Sequence, residues 1–135
     1  MLTTPKEFVE RFRAVVAARG WRGVSTPFDL IGGWEQLVDV VAEGYDDNIY
    51  EYRNDLSVRE RIEVLLQDES LSGVEQMERV RTQVGEIDAR FRSLLRPEPV
   101  RGNSPWWEAH LPAYAGAELV ADIKAAYGVS IEERQ

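Results

Sequence analysis

Residues 34–56, WEQLVDVVAEGYDDNIYEYRNDL, interleave an apolar and an acidic set of side chains, and both repeat at the period of an α-helix. At about 100° per residue, the apolar set falls on one side of a helix and the acidic set covers the other side. A β-strand would scatter both sets. The stretch therefore predicts a long helix over about 33–54 with one buried and one negative face. The apolar set is Trp34, Val38, Val41, Tyr45, Ile49, Tyr52 and Leu56, and the acidic set is Glu35, Asp39, Glu43, Asp47, Glu51 and Asp55.

One short segment in the middle of this helix is poor helix material. Gly44 costs about 1 kcal/mol relative to alanine in a helix interior, and Asp46, Asp47 and Asn48 follow it closely. Aspartate and asparagine side chains compete for backbone hydrogen bonds and so favour caps and turns. The sequence leaves open a kink or a short break at 44–48.

Capping signals and apolar stripes predict the rest of the fold. A Thr4–Glu7 capping box begins a first helix that ends at Gly20, and a Ser57–Glu60 box begins a third. We predict an all-α, single-domain bundle of about five helices over residues 1–135, with an exposed loop at 96–105 and a frayed tail at 130–135. The other predicted elements are a long helix at about 72–95, a last helix over about 117–127, and short helical turns near 27–31 and 105–110.

Composition narrows the class of protein. A chain of 135 residues, 44% of them hydrophobic, is long enough for one domain with its own core. It has no cysteine, which excludes disulfides and thiolate metal sites and suits a reducing compartment. The N-terminus lacks the apolar core of a signal peptide, and no apolar run approaches the roughly 20 residues that span a bilayer. We expect a cytoplasmic protein.

The charge balance indicates what kind of partner the protein has. The net charge is −8, and residues 25–52 hold seven acidic and no basic side chains. Nucleic acids and anionic membranes bind cationic surfaces, so neither is an expected partner. A basic protein is the partner that this charge favours.

The acidic set does not predict a metal site or a cofactor site. A four-residue spacing drifts by about 40° per step around a helix, so the carboxylates fan out instead of converging on one ion. Like charges at this spacing cost a few tenths of a kcal/mol per pair, or on the order of 1–2 kcal/mol together. Either neighbouring arginines or a basic partner must offset that cost.

Tyr50 is the unusual residue on the acidic face. It lies near 160° on the helical projection, surrounded by carboxylates. An aromatic ring among exposed charges is a common form of protein-recognition hot spot, although a tyrosine in this position can also pack against a loop. The candidate interaction surface consists of Glu43, Asp46, Asp47, Tyr50, Glu51 and Asn54.

The stretch DDNIYEY at 46–52 resembles the acidic, paired-tyrosine surface of the helical immunity proteins that block bacterial nuclease toxins. The resemblance covers these seven residues. It implies an inhibitor-like or immunity-like role, in which the acidic surface binds a basic protein.

Two alternatives remain open, because the sequence alone does not determine the function. One is a small-ligand-binding or enzymatic domain with a pocket near Trp106, Trp107 and His110, although tryptophan more often fills a core and a lone histidine more often bonds a backbone carbonyl. No convergent nucleophile, base and oxyanion donor can be identified, which favours a non-enzymatic function. The other alternative is a structural or homo-oligomeric protein.

Overall fold

The computed structural model describes residues 4–24 and 26–134, and most of these residues are helical. The prediction of a mainly helical fold is confirmed, but an all-α bundle of about five helices is not exact, because the same residues also form short strands. Helices α1 to α7 span Pro5–Arg19, Pro27–Glu43, Ile49–Asp55, Ser57–Gln67, Gln76–Arg92, Trp106–Ala109 and Ala117–Tyr127. Strands β1 to β4 span Leu95–Pro99, His110–Pro112, Tyr114–Ala115 and Glu132–Glu133.

The first and last helices form where the sequence predicts them. The Thr4 side chain accepts a hydrogen bond from the backbone N–H of Glu7 at 3.1 Å and caps α1. Gly20 and Gly128 end α1 and α7. Local signals were sufficient to predict these boundaries, because each capping hydrogen bond joins residues that are close together in the sequence.

The predicted helix at 33–54 is two helices, α2 and α3, because the break that the sequence leaves open at 44–48 is present; the predicted end near 54 agrees with Asp55, but the predicted start at 33 is wrong. Helix α2 begins at Pro27, where the backbone N–H of Thr26 donates to the Asp29 carboxylate at 2.9 Å, so the separate short turn at 27–31 belongs to this helix. Helix α2 ends at Glu43 because Gly44 takes a φ of 107°, which favours glycine. Asn48 then caps a new helix, α3, by accepting from the N–H of Glu51 at 2.9 Å.

Two other predicted helix boundaries also shift. Helix α4 follows α3 after a single residue, Leu56, whose N–H still bonds the carbonyl of Tyr52. Ser57 therefore lies inside α4, and the predicted Ser57–Glu60 capping box does not form. The helix predicted at 72–95 is shorter, Gln76–Arg92, because residues 68–74 form turns and Leu95 begins a strand.

The predicted loop at 96–105 and the predicted frayed tail at 130–135 both contain strand structure. Strand β1 pairs antiparallel with β2, so the first part of the loop is ordered by hydrogen bonds. Strand β4 pairs parallel with β3, and the Arg134 N–H donates to the Ala115 carbonyl at 2.8 Å. These strands are too short to show period-two alternation, and Pro97 and Pro99 are residues more typical of loops.

The core lies where α2 packs against α4 and α5. Trp34 is fully buried there, and its ring meets Phe91 edge to face with 4.7 Å between centroids. Edge-to-face aromatic pairs add about 0.5–1.5 kcal/mol beyond the area that they bury. Every member of the apolar set predicted at 34–56 is buried, including those after the break at 44–48.

Arg59 is a buried charge within this core, with 3% of its surface exposed. Its guanidinium donates to both carboxylate oxygens of Asp88, at 2.9 and 2.8 Å, and to Glu63 at 3.0 Å. Its Cζ atom lies over the Trp107 ring, 4.4 Å from the ring centre. Asp88 also accepts from Trp34 Nε1 at 3.0 Å. This network joins α2, α4, α5 and α6.

We predict that Arg59→Met lowers the free energy of unfolding by about 3–5 kcal/mol, because it leaves the Asp88 carboxylate without its cation. Urea denaturation measures this change. The double variant Arg59→Met/Asp88→Asn should lose less free energy of unfolding than the single variant. Its asparagine can still accept the hydrogen bond from Trp34, and it carries no unpaired charge. Equal losses in the single and double variants would contradict the coupling.

Candidate functional site

The six residues of the candidate interaction surface come together at the junction of α2 and α3, and we call them the Tyr50 surface. One lies at the end of α2, two lie in the 44–48 loop and three lie on α3. All six are exposed to solvent. They are Glu43, Asp46, Asp47, Tyr50, Glu51 and Asn54.

Tyr50 projects from the Tyr50 surface into solvent. Its side chain is 76% exposed, and it makes no hydrogen bond or ring contact with the described residues. The other two tyrosines of this region are different: Tyr45 and Tyr52 are buried against each other, with 5.1 Å between ring centroids. In the structure, therefore, Tyr50 does not pack against a loop.

The backbone beneath the Tyr50 surface is fixed by the C-terminal third of the chain. The Tyr114 hydroxyl donates to the carbonyl of Ala42 at 2.6 Å, at the end of α2. The N–H of Gly116 donates to the carbonyl of Tyr45 at 2.9 Å. The Asp122 carboxylate accepts from the N–H of Ile49 at 3.0 Å and so caps α3 from outside. The acidic loop is therefore held at both ends.

One member of the acidic set is paired with a cation and a second is hydrogen-bonded to a neutral hydroxyl within the protein, while others have neither. Asp39 forms an ion pair with Arg90 of α5, and Asp55 accepts from the Tyr45 hydroxyl at 2.6 Å. Within residues 4–24 and 26–134, no lysine or arginine comes within ion-pair distance of Glu43, Asp47 or Glu51. The folded chain thus offsets only part of the repulsion between carboxylates of the acidic set that the sequence predicts.

Glu43 has a further electrostatic disadvantage. It is the last residue of α2, where the helix dipole places partial negative charge, and the last turn of α2 holds no basic residue. A carboxylate at a helix C-terminus is unfavourable by a few tenths of a kcal/mol to about 1 kcal/mol. The negative potential at this end of α2 is therefore stronger than the carboxylates alone would make it.

The predicted pocket residues Trp106, Trp107 and His110 lie close together, but they do not enclose one pocket. Trp107 is buried beside Arg59, whereas Trp106 is half-buried and meets Trp107 edge to face at 5.7 Å. His110 Nδ1 donates to the carbonyl of Arg96 at 2.9 Å, the backbone partner that is common for a lone histidine. Trp106 and His110 line a shallow surface depression, and Trp107 does not.

A cavity of about 90 Å³ lies on the other side of His110, and we call it the Tyr52 cavity. The Tyr52 side chain is 4% exposed, and its hydroxyl has no hydrogen-bond partner among the described residues. The sequence places Tyr52 in the buried set but gives no sign of this cavity, because its walls come from α3, α7, β2 and the segment before it. The walls are Ile49, Tyr52, Arg53, Leu56, Arg101, Glu108, His110, Leu111, Ile123 and Tyr127.

Comparisons with known proteins identify no relative. No protein-family model matches the chain, and no match was found among curated proteins or among solved structures. No helix in the described part of the chain is long and apolar enough to cross a membrane. Among the described residues, no three histidine, aspartate or glutamate side chains are grouped so that they could hold a metal ion.

We predict that Gly116→Ala destabilises the protein by about 1–3 kcal/mol, the usual cost of inserting a methyl group into a packed site. A Cβ at this position would lie 2.9 Å from the carbonyl oxygen of Tyr45 and 3.2 Å from the Cα of Asp46. Gly85→Ala is the matched control, because a Cβ there meets nothing within 4 Å. It should stabilise α5 by up to about 1 kcal/mol. Thermal denaturation of both variants measures the difference, and similar melting temperatures would contradict the close packing.

We also predict that stability falls as the pH rises above about 10, the pKa of tyrosine in an unfolded chain. Burial raises the pKa of Tyr52, and burial together with the hydrogen bond to Asp55 raises the pKa of Tyr45. The unfolded state therefore loses protons that the folded state keeps, and each tyrosine adds up to about 1.4 kcal/mol of destabilisation per pH unit. Urea denaturation between pH 8 and 11 should show a shallower decline for Tyr45→Phe/Tyr52→Phe than for the wild type.

Proposed function

We propose that this protein is a small acidic interaction module that binds a basic protein through the Tyr50 surface. The observation that carries the proposal is the 76% exposure of Tyr50 among carboxylates that no lysine or arginine of the described chain neutralises. An inhibitor-like or immunity-like action fits this chemistry, because such a module acts by covering a basic surface of its partner.

Tyr50 has the properties of an anchor residue. Tyrosine is enriched among residues whose truncation costs 2 kcal/mol or more of binding free energy. It offers a large ring with few rotatable bonds, so little conformational entropy is lost when a partner covers it. The bonds from Tyr114, Gly116 and Asp122 hold the backbone beneath it, which reduces the ordering cost of binding further.

The charge around Tyr50 supports a basic partner. Glu43, Asp47 and Glu51 are exposed without a cation close by, and the net charge of the chain is −8. A positive surface that approaches this site would be attracted over about one Debye length, roughly 8–10 Å at physiological salt. Such complementarity raises the association rate and excludes acidic partners.

The Tyr50 surface continues into a groove that offers apolar contact. Asn54 lies one helical turn after Tyr50 on α3, and it borders an open groove between α2 and α4. Val40, which is 39% exposed, lies in the same groove together with Asp55 and Arg61. An aromatic anchor, a charged rim and a nearby polar groove with an exposed aliphatic side chain resemble the composition of a recognition interface.

A photo-crosslinking experiment tests this proposal. The photoreactive residue p-benzoylphenylalanine replaces Tyr50 in one variant and Phe28, an exposed aromatic of α2 outside the Tyr50 surface, in another. We expect position 50, and not position 28, to crosslink to a basic protein in cells. With that protein purified, Tyr50→Ala should weaken binding by about 30-fold or more, while the melting temperature stays within a few degrees because the side chain is exposed.

Charge variants complete the test. Glu43→Lys/Glu51→Lys should abolish binding, whereas Glu10→Lys/Glu86→Lys, which changes the net charge equally at exposed positions elsewhere, should have little effect. If both double variants lost binding equally, the effect would come from the net charge of the protein and not from the Tyr50 surface, and the proposal would be overturned. The same holds if Tyr50→Ala unfolds the protein, since Tyr50 would then be a stability residue.

A further inference from the structure

The Tyr52 cavity has an apolar interior and a charged rim. Four of its wall residues are buried aliphatic side chains: Ile49, Leu56, Leu111 and Ile123. An interior of this kind favours an apolar group over water, because water needs two to four polar partners. At about 90 Å³, the cavity is larger than a single water requires and smaller than the roughly 150 Å³ that accommodates benzene. The apolar part of a fitting ligand is therefore short.

Tyr52 lines the cavity, but its hydroxyl is closed off from it. Its hydroxyl is buried and has no partner among the described residues, although buried polar groups in native proteins are nearly always bonded. Burial keeps this hydroxyl protonated by raising its pKa.

Two arginines of the wall favour an anionic acceptor. Arg53 is held in place by a hydrogen bond to the Tyr127 hydroxyl, which leaves most of its five N–H donors available. Arg101 has no ion-pair partner among the described residues. Glu108 is the one acidic side chain in the wall, so the two guanidinium groups outnumber it. The planar fork of arginine matches a carboxylate in shape and charge.

We propose that the Tyr52 cavity binds a small carboxylate with a short apolar chain, whose carboxylate meets Arg101 and Arg53 at the rim while its chain contacts the aliphatic wall. Two kinds of molecule share this chemistry. One is a simple short-chain carboxylic acid, and the other is an apolar α-amino acid, whose ammonium group would pair with Glu108. This site is separate from the Tyr50 surface and does not depend on the proposed partner.

Butyrate is the probe that tests the site, and norvaline and butyramide are its comparisons. In ¹H–¹⁵N NMR titrations of the whole protein, butyrate should shift the amides of Leu111 and Ile123 with a Kd on the order of 1 mM or tighter. Neutral butyramide should bind at least about tenfold more weakly, because it lacks the charge that the arginines recognise. Tighter binding of norvaline would identify an amino acid as the ligand class, and tighter binding of butyrate would identify a simple acid.

Variants distinguish this site from a water-filled void. Arg101→Gln and Arg53→Gln should each weaken butyrate binding about tenfold or more, while Arg81→Gln, an exposed arginine on α5 without an ion-pair partner among the described residues, should leave it unchanged. Tyr52→Phe should keep or raise the melting temperature, because it removes an unbonded buried hydroxyl. Equal binding of butyrate and butyramide, no shift at the cavity, or insensitivity to both Arg101→Gln and Arg53→Gln would overturn the proposal.

Discussion

The buried guanidinium of Arg59 is the constraint on which the helical core depends. A charge removed from water must be met by several partners at once, and here Asp88, Glu63 and the Trp107 ring provide them from three helices. Because Asp88 also accepts from Trp34, the same carboxylate fixes α2 against α5. Apolar packing alone would tolerate small shifts between helices. The hydrogen bonds of this network are all formed in one relative arrangement of the helices. We infer that it sets the position of α2 against α4 and α5.

The end of α2 decides where the acidic charge is presented. Asp39, one turn earlier, still reaches Arg90 of α5 and is neutralised. Glu43, the last residue of α2, forms no ion pair among the described residues, and the chain then leaves the helix at Gly44. Beside Tyr50, the carboxylates of Glu43, Asp47 and Glu51, at and after the end of the helix, have no ion-pair partner among the described residues. The Tyr52 cavity lies beneath the same short helix, α3, so one seven-residue element carries parts of both proposed sites.

Local sequence patterns predicted much of the fold. They failed where contacts between residues far apart in the sequence determine the structure. The apolar set of 34–56 identified the buried side chains correctly, because a 3.6-residue period depends only on neighbours. The break at 44–48 was only an open alternative, since its form depends on Gly116 and Asp122, far along the chain. Tyr50 could be placed on the exposed face from its angle, but the pairing of Asp39 with Arg90 and the convergence of Arg53, Arg101 and Tyr52 on one cavity require tertiary structure.

The parallel pairing of β3 with β4 has a consequence for how the protein matures. During synthesis, the 44–48 loop emerges long before residues 131–134, which pair beside Tyr114 and place Arg134 over its ring. Contacts between segments so far apart form late, because a long loop must close first. A nascent chain can therefore build α1 and α2 while the acidic loop is still unsupported. A partner that needs the loop in its final shape would bind only chains in which Tyr114, Gly116 and Asp122 already support the loop.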